Sequence, residues 1–313
     1  MSTHDRPGPR TLAASVAEVA AGHGDVVAVV MTTFVVDPRF IEREVLMPLL
    51  VGKAASNDNV GDVLLAHALE SVAGVTVFYE LGHLAPRMEA PRHGLRMVGV
   101  SHGTGVLHAK HVLALTVKPD GSRALVVLTT SANLTHAGWL RNLELADLDV
   151  VEGNGAHGLV PGLQVLMRNL RAMSGAGVDD PALETIGAFL DECSAGHHPI
   201  PALWAGGEPL LDFLARHHTQ KGGCLELAAP YGDGQAWLIQ QIVARLAPGR
   251  VVLRTPTDEE GVVSASVSWF AWRGGHRVQV SAGIFDGLET VRVDGQEVSR
   301  FVHAKLVRWT PDD

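Results

Sequence analysis

Two short stretches of the chain carry nearly the same residues: Leu107–Val112 reads LHAKHV and Val302–Val307 reads VHAKLV. In an extended strand, residues i and i+2 point to one face. His108 and Lys110 are therefore expected to project side by side, flanked by Val106 and Val112. His303 and Lys305 should do the same between Phe301 and Val307. Placing an ammonium beside an imidazole on an apolar strand is costly unless an anion satisfies both, and a phosphoryl group would. A single His-Ala-Lys is more simply a strand face that meets water. Two copies at one constant step of 195 residues favour a site. After the first copy comes Thr130-Ser-Ala-Asn-Leu-Thr135, then Gly138-Trp139 and Asn142-Leu-Glu144. Ser131 and Asn133, again i and i+2, offer a hydroxyl and an amide to phosphate oxygens. The same stretch also has the composition of a helix N-cap.

HxK, a turn, then TSANLT, AGW and N-x-E resembles the signature of the phospholipase D superfamily, in which an Asp follows the Lys by five residues and GSxN comes later. Here Leu115 and Thr310 stand where that Asp would be. This departure, with the Ser-Ala-Asn-Leu-Thr stretch and the Trp after it, is similar to the tyrosyl-DNA phosphodiesterase branch and to nuclease-like bacterial members. The resemblance implies a two-step displacement needing no metal and no cofactor, with His108 as nucleophile and His303 as acid. Lys110, Lys305 and Asn133 would hold the non-bridging oxygens, with Ser131 as a further donor. Glu144 would accept from a catalytic imidazole and fix its tautomer; its alternative is a carboxylate at a helix end. The residues alone do not order the two histidines.

The implied activity is hydrolysis of phosphodiester bonds, with nucleic acid as the leading substrate. Two alternatives stand beside it: a catalytically incomplete subunit that binds nucleic acid or a protein partner through the same cleft, and a phospholipid-cleaving enzyme. An enzyme acting on lipid would show an apolar entrance with interfacial basic residues, and no such cluster stands out. The first motif alone is complete. Asn133 follows Lys110 by 23 residues, and its counterpart after Lys305 would fall near position 328, beyond Asp313. A fragment of a longer protein is therefore expected, with a further domain beyond residue 313 or a homodimer left open. A metal site of His102, His108 and His111 has no carboxylate or cysteine at ligand spacing. Gly232-Asp-Gly234 lacks the Gly/Lys pattern of a phosphate-cradling loop.

These residues need elements to position them. Apolar, β-branched runs predict strands over Asp25–Asp37, Val75–Glu80, Leu95–Val100, Gly105–Val117 and Arg123–Thr130. Lys118-Pro-Asp-Gly-Ser122 between the last two is a hairpin turn. Helices are expected over Thr11–Ala21, Pro38–Leu50 and Gly61–Ala73, then over Leu159–Met173, Pro181–Cys193 and Pro209–His218. The pattern then restarts, with strands at Cys224–Pro230, Arg250–Thr255, Arg277–Ala282 and Val298–Trp309, and helices at Gly234–Leu246 and Ala265–Trp272. Strand–helix alternation with a mixed sheet means an α/β fold. The restart implies two similar lobes related by a pseudo-twofold: residues 1–152, a helical connection over 153–218, and a second lobe over 219–313.

Hydrophobic residues make up 46% of the 313 and charged residues 19%, the balance of a globular protein. A net charge of −9 argues against coating nucleic acid by bulk positive charge, but not against gripping phosphate in one cationic pocket. The longest early apolar run, Val26–Val36, is too short to span a bilayer. The N-terminus lacks the apolar core of a secretory signal. Cys193 and Cys224 have no disulfide-framework spacing, so a reducing, cytoplasmic setting is expected.

Overall fold

The computed structural model describes residues 11–52, 58–84, 89–101, 105–142, 144–153, 155–175, 179–196, 202–206, 208–218, 222–228, 237–255, 277–282, 290–293, 296–299 and 306–310. The chain divides into two compact units: Met1–Leu140 with Ala146–Ala205, and Arg141–Leu145 with Gly206–Asp313.

The first unit opens with α1 (Leu12–His23), capped by the Thr11 hydroxyl, which accepts from Ala14 N at 3.2 Å. β1 (Asp25–Thr33) feeds α2 (Pro38–Phe40), which continues without a break into π-helical turns over Ile41–Val51. Pro48 lies inside those turns and brings no N–H. Gly52, at φ 79°, ends them in the left-handed conformation that glycine adopts without strain. There follow α3 (Asp58–Glu70), β2 (Val75–Glu80), β3 (Arg96–Val100), β4 (His111–Val117), β5 (Arg123–Thr130), α4 (His136–Leu140) and β6 (Ala146–Glu152). The unit then runs through β7 (Ala156–His157), α5 (Val160–Ser174), α6 (Pro181–Glu192) and β8 (Ser194–Ala195).

Six strands form one sheet in the order β3-β2-β1-β4-β5-β6. β1, β2 and β3 are parallel, and β4, β5 and β6 continue the sheet antiparallel. The turn joining β4 to β5 is held by Asp120, whose carboxylate accepts from Ser122 N at 2.9 Å. Both faces of the sheet are covered, which is why its strands read as continuous apolar runs and not as alternations. Val29, Met31, Val112, Ala114, Val126 and Leu128 pack with α1 and the helix after β1. The residues between them, Ala28, Val30, Leu113, Leu115, Leu125 and Val127, pack with α5 and α6. The expected α/β class is what the structure has, and α5 and α6, from the segment read as a connection, complete the first sheet's core.

In the second unit α7 (Leu210–His217), β9 (Cys224–Ala228), α8 (Trp237–Leu246), β10 (Arg250–Thr255) and β11 (Arg277–Ala282) lead to β12 (Thr290–Val293), β13 (Gln296–Ser299) and β14 (Leu306–Thr310). Its four-stranded sheet has the order β11-β10-β9-β14, with β9, β10 and β11 parallel and β14 antiparallel to β9. This is the order and direction of β3-β2-β1-β4. The duplication read from two six-residue stretches thus extends to the topology of four strands. The step is kept as well: β4 starts at His111 and β14 at Leu306, each one residue past the lysine of its motif.

Several strands are shorter than expected, and the one read as Asp25–Asp37 ends at Thr33. The run read as Gly105–Val117 becomes a ladder only at His111, and Gly105–Lys110 lies outside regular structure. The reason is local: Leu107 N donates to the buried carboxylate of Glu80, at 2.6 Å, and not to a neighbouring strand. Val106 consequently stands 55% exposed while Val112 is buried, so they do not share a face. The expected strand Val298–Trp309 is two elements, β13 paired with β12 and β14 paired with β9. The expected helix Ala265–Trp272 lies outside the described residues.

α6 is tied to the first sheet by Asp180, a fully desolvated carboxylate. It caps the helix by accepting from Leu183 N at 3.1 Å, accepts from the Thr76 hydroxyl at 2.9 Å and pairs with Arg96 Nε at 3.3 Å. Removing it leaves the buried Thr76 hydroxyl without its acceptor and takes the carboxylate from the partly exposed Arg96. Asp180→Ala should lower unfolding stability by about 2–4 kcal/mol, measured as a fall in the urea midpoint at constant m-value.

Candidate active site at the carboxyl edge of the first sheet

β1, β2 and β5 end on one edge of the sheet, where β4, running the other way, begins. Open α/β sheets bind ligands at this edge, because chain leaves and enters the strands there and side chains escape the packed core. The β4–β5 ladder closes at His111↔Thr129, and Thr130 N donates to Lys110 O at 3.0 Å one step further. The His-Ala-Lys and Ser-Ala-Asn segments therefore leave the sheet side by side.

Lys110 is 4% exposed, whereas His108 is open to solvent. The ammonium donates to the His108 carbonyl at 2.8 Å and lies 3.1 Å from Nδ1 of the same residue's ring. The expected pairing of imidazole and ammonium is thus present, made by a chain that curls over its own lysine. Ser131, half-buried, opens the turn after β5. The strand ends at Thr130 as expected, where the Thr130 hydroxyl accepts from Ala132 N at 3.0 Å and bends the chain. Asn133 follows in the same turn. Its Oδ1 accepts from Val35 N at 3.1 Å; a backbone N–H can only face the carbonyl end of the amide, so Nδ2 carries its two donors to the opposite side. The N-cap reading of this stretch also holds: the Thr135 hydroxyl accepts from Gly138 N at 3.2 Å and starts α4.

Behind this edge lies a layer of polar support that the motif reading did not include. Thr32 Oγ1 accepts from His111 N at 3.0 Å. Thr33 Oγ1 accepts from Leu134 N at 3.0 Å and donates to Val35 O at 2.8 Å. The segment after β1 is held between the other two, with Val36 bridged to Leu84 and to Leu134. This layout puts the Phe34 ring 5.2 Å from that of His108 and 4.2 Å from that of His83. The only sequence signal for this support was the pair Thr32-Thr33 interrupting an apolar strand.

His111, considered as a metal ligand, is instead buried in the ladder with Nδ1 3.2 Å from the Thr129 hydroxyl. Burial, and then the neighbouring Lys110 charge, push its pKa down to about 4. Glu144 is half-buried and accepts from Asn142 Nδ2 at 3.2 Å; both belong to the Arg141–Leu145 segment grouped with the second unit. His303 and Lys305 lie outside the described residues, and β14 begins at the residue after Lys305.

No protein-family model matches the chain, and no curated protein matches it by sequence. Solved structures do match. A mutant of yeast tyrosyl-DNA phosphodiesterase superposes with a TM-score of 0.48 at 11% identity, over 87% of this chain and 67% of that one. The chain is similar in fold to that enzyme. A second structure of the yeast enzyme gives 0.46 at 12% identity over 81% and 64%. Polyphosphate kinase from Porphyromonas gingivalis gives 0.45 at 16% identity, over 94% of this chain and 40% of the kinase. The chain spans about two thirds of the yeast enzyme's length. Among the described residues, no helix is long and apolar enough to cross a membrane.

Two predictions come from this geometry. With a folded-state pKa of about 4 against 6.5 unfolded, His111 takes up its proton mainly on unfolding. Its contribution is complete above pH 6.5 and is lost as pH falls toward 4, up to about 3 kcal/mol. His111→Leu, the residue of the second copy, should flatten the fall of the thermal midpoint across that window. The second concerns Gly138, where a Cβ would stand 2.4 Å from the Asn133 carbonyl oxygen. Gly138→Ala should cost about 1–3 kcal/mol and, by displacing Asn133, lower anion affinity, read by sulfate or phosphate titration of the folded protein.

Proposed function

We propose that the chain is a phosphodiesterase of the phospholipase D type, acting on nucleic-acid phosphodiester bonds through a phosphohistidine. The observation that carries the reading is the Lys110 ammonium, buried beside an exposed His108 at the strand edge where Asn133 enters. A dianionic or monoanionic phosphoryl group is the ligand whose oxygens such a set satisfies, since each donor meets a non-bridging oxygen. The repeat supports a second imidazole and ammonium at the equivalent strand start, His303 and Lys305.

In this reading the His108 ring nitrogen attacks phosphorus, an N–P bond forms, and the bond from phosphorus to the leaving oxygen breaks. His303, protonated, gives its proton to that oxygen. Neutral His303 then takes a proton from water as the water oxygen attacks phosphorus and the N–P bond breaks, returning both histidines to their first state. Lys110, Lys305 and Asn133 balance the charge on the non-bridging oxygens throughout, so the ammonium groups supply the electrostatic stabilisation. Glu144 fixes the tautomer of a catalytic imidazole. Nucleic acid is favoured over lipid by the style of the motifs, Ser-Ala-Asn-Leu-Thr followed by a Trp with no Asp five residues after the Lys.

The test is hydrolysis of bis-p-nitrophenyl phosphate and of an end-labelled oligonucleotide, both in EDTA. His108→Ala should abolish both activities. His303→Ala should slow the oligonucleotide by about 100-fold or more and the aryl ester by under about 10-fold, because p-nitrophenolate leaves without protonation. The opposite pattern would exchange the two roles. Cleavage of phospholipid vesicles with no action on the oligonucleotide would replace the nuclease reading with the lipid one. Tight oligonucleotide binding without turnover would leave a binding subunit.

A further inference from the structure

We infer that Phe34 is the positioning residue for the His108 imidazole, and that Asn133 sets Phe34 through its carbonyl end. The inference deepens the phosphodiesterase reading, and rests on it for the role of His108. A histidine on an exposed segment outside the ladder is oriented by what its ring touches, and a nucleophile gains most of its advantage from a fixed orientation. The Lys110 ammonium lies along one side of the His108 ring, 3.1 Å from Nδ1 and 3.4 Å from Nε2. A ring against a second surface is held more narrowly, and the Phe34 ring, tilted 45° at 5.2 Å, is such a surface.

Phe34 can act as a brace because it is itself fixed. It sits at the apex of the turn after β1, and both flanking residues are tied to the turn that carries Asn133. Val35 N donates to Asn133 Oδ1 at 3.1 Å, and Thr33 Oγ1 accepts from Leu134 N at 3.0 Å. Beyond them, Asp37 N donates to Leu134 O at 3.0 Å. The Phe34 ring also meets that of His83, with centroids 4.2 Å apart. Oδ1 thus fixes the turn that presents Phe34, while Nδ2 keeps its donors on the side away from Val35. A ring whose sole duty was to fill space would not need its backbone tied on both sides to a motif residue.

The experiment uses the whole 313-residue chain with ¹³C-labelled histidine rings, the His108 signals being assigned by their loss in His108→Ala. Beside a phenyl ring at this distance they should carry a ring-current shift. Phe34→Leu should move them toward those of a free imidazole, while the buried His111 signal, reporting the folded sheet, stays in place. Phe34→Tyr should keep the shift, and Asn133→Ala should lose part of it. With bis-p-nitrophenyl phosphate, Phe34→Leu should lower kcat by about 10–100-fold with KM within about twofold, and Phe34→Tyr should restore kcat to within about threefold. His108 signals unmoved in Phe34→Leu, or a loss in Phe34→Tyr equal to that in Phe34→Leu, would overturn the inference. Should Phe34→Leu lose the His111 signal, Phe34→Met and Asn133→Ala carry the same comparison. A wild-type chain without turnover would remove the phosphodiesterase reading, and the histidine spectra would still decide whether Phe34 braces His108.

Discussion

The arrangement depends on the positive charge of Lys110 being held where only 4% of the residue meets water. A desolvated ammonium needs oxygen around it, and the chain supplies the first by folding the His108 carbonyl back onto it at 2.8 Å. That single contact curls residues 108–110 away from the extended course their sequence suggests, and it brings the imidazole beside the ammonium. The neighbouring segments answer the same demand. Glu80, also buried, takes the Leu107 N–H and anchors the approach to the curl. The threonines of β1 take the N–H groups that the ladder gives up as it ends.

Much of this was legible in the sequence, and what was not has physical causes. β2, β10 and β11 run over the residues read as strands, and α5 and α6 lie within one residue of the ranges read as helices. The pairing of His108 with Lys110 followed from alternation along a strand, although the segment is not a strand. The start of β4 was missed because a side chain competes with the ladder for a backbone partner, Glu80 for Leu107. β6 passed unread because Asp147 and Asp149 break its apolar run. It is an edge strand, where alternation and charge are the rule. Phe34 and His83 have no signature of any kind. Phe34 comes beside His108, and His83 beside Phe34, because β2, β1 and β4 are successive strands, an adjacency that exists only in the sheet.

The two copies repeat their strands more faithfully than their supports. At the first residue of β4 stands His111, hydrogen-bonded to the Thr129 hydroxyl, and at the first residue of β14 stands Leu306. Thr32 is the partner of His111 in β1, while Ala228 is the partner of Leu306 in β9. The first copy thus rests its motif on hydroxyls and an imidazole, and the second copy places carbon at both of these positions.

This divergence matters for how the chain can change. A protein built from two identical halves must accept every mutation twice, once in each role. Here a substitution beneath one lysine has no counterpart beneath the other, so each half can be tuned by selection without disturbing its twin. The apolar support of the second copy also removes from it the titrating group that makes the first sensitive to acid. Acid therefore reaches the first copy through His111, a route that Leu306 closes at the same position of the second, so the symmetry of the fold survives in the path of the chain and not in its response to protons.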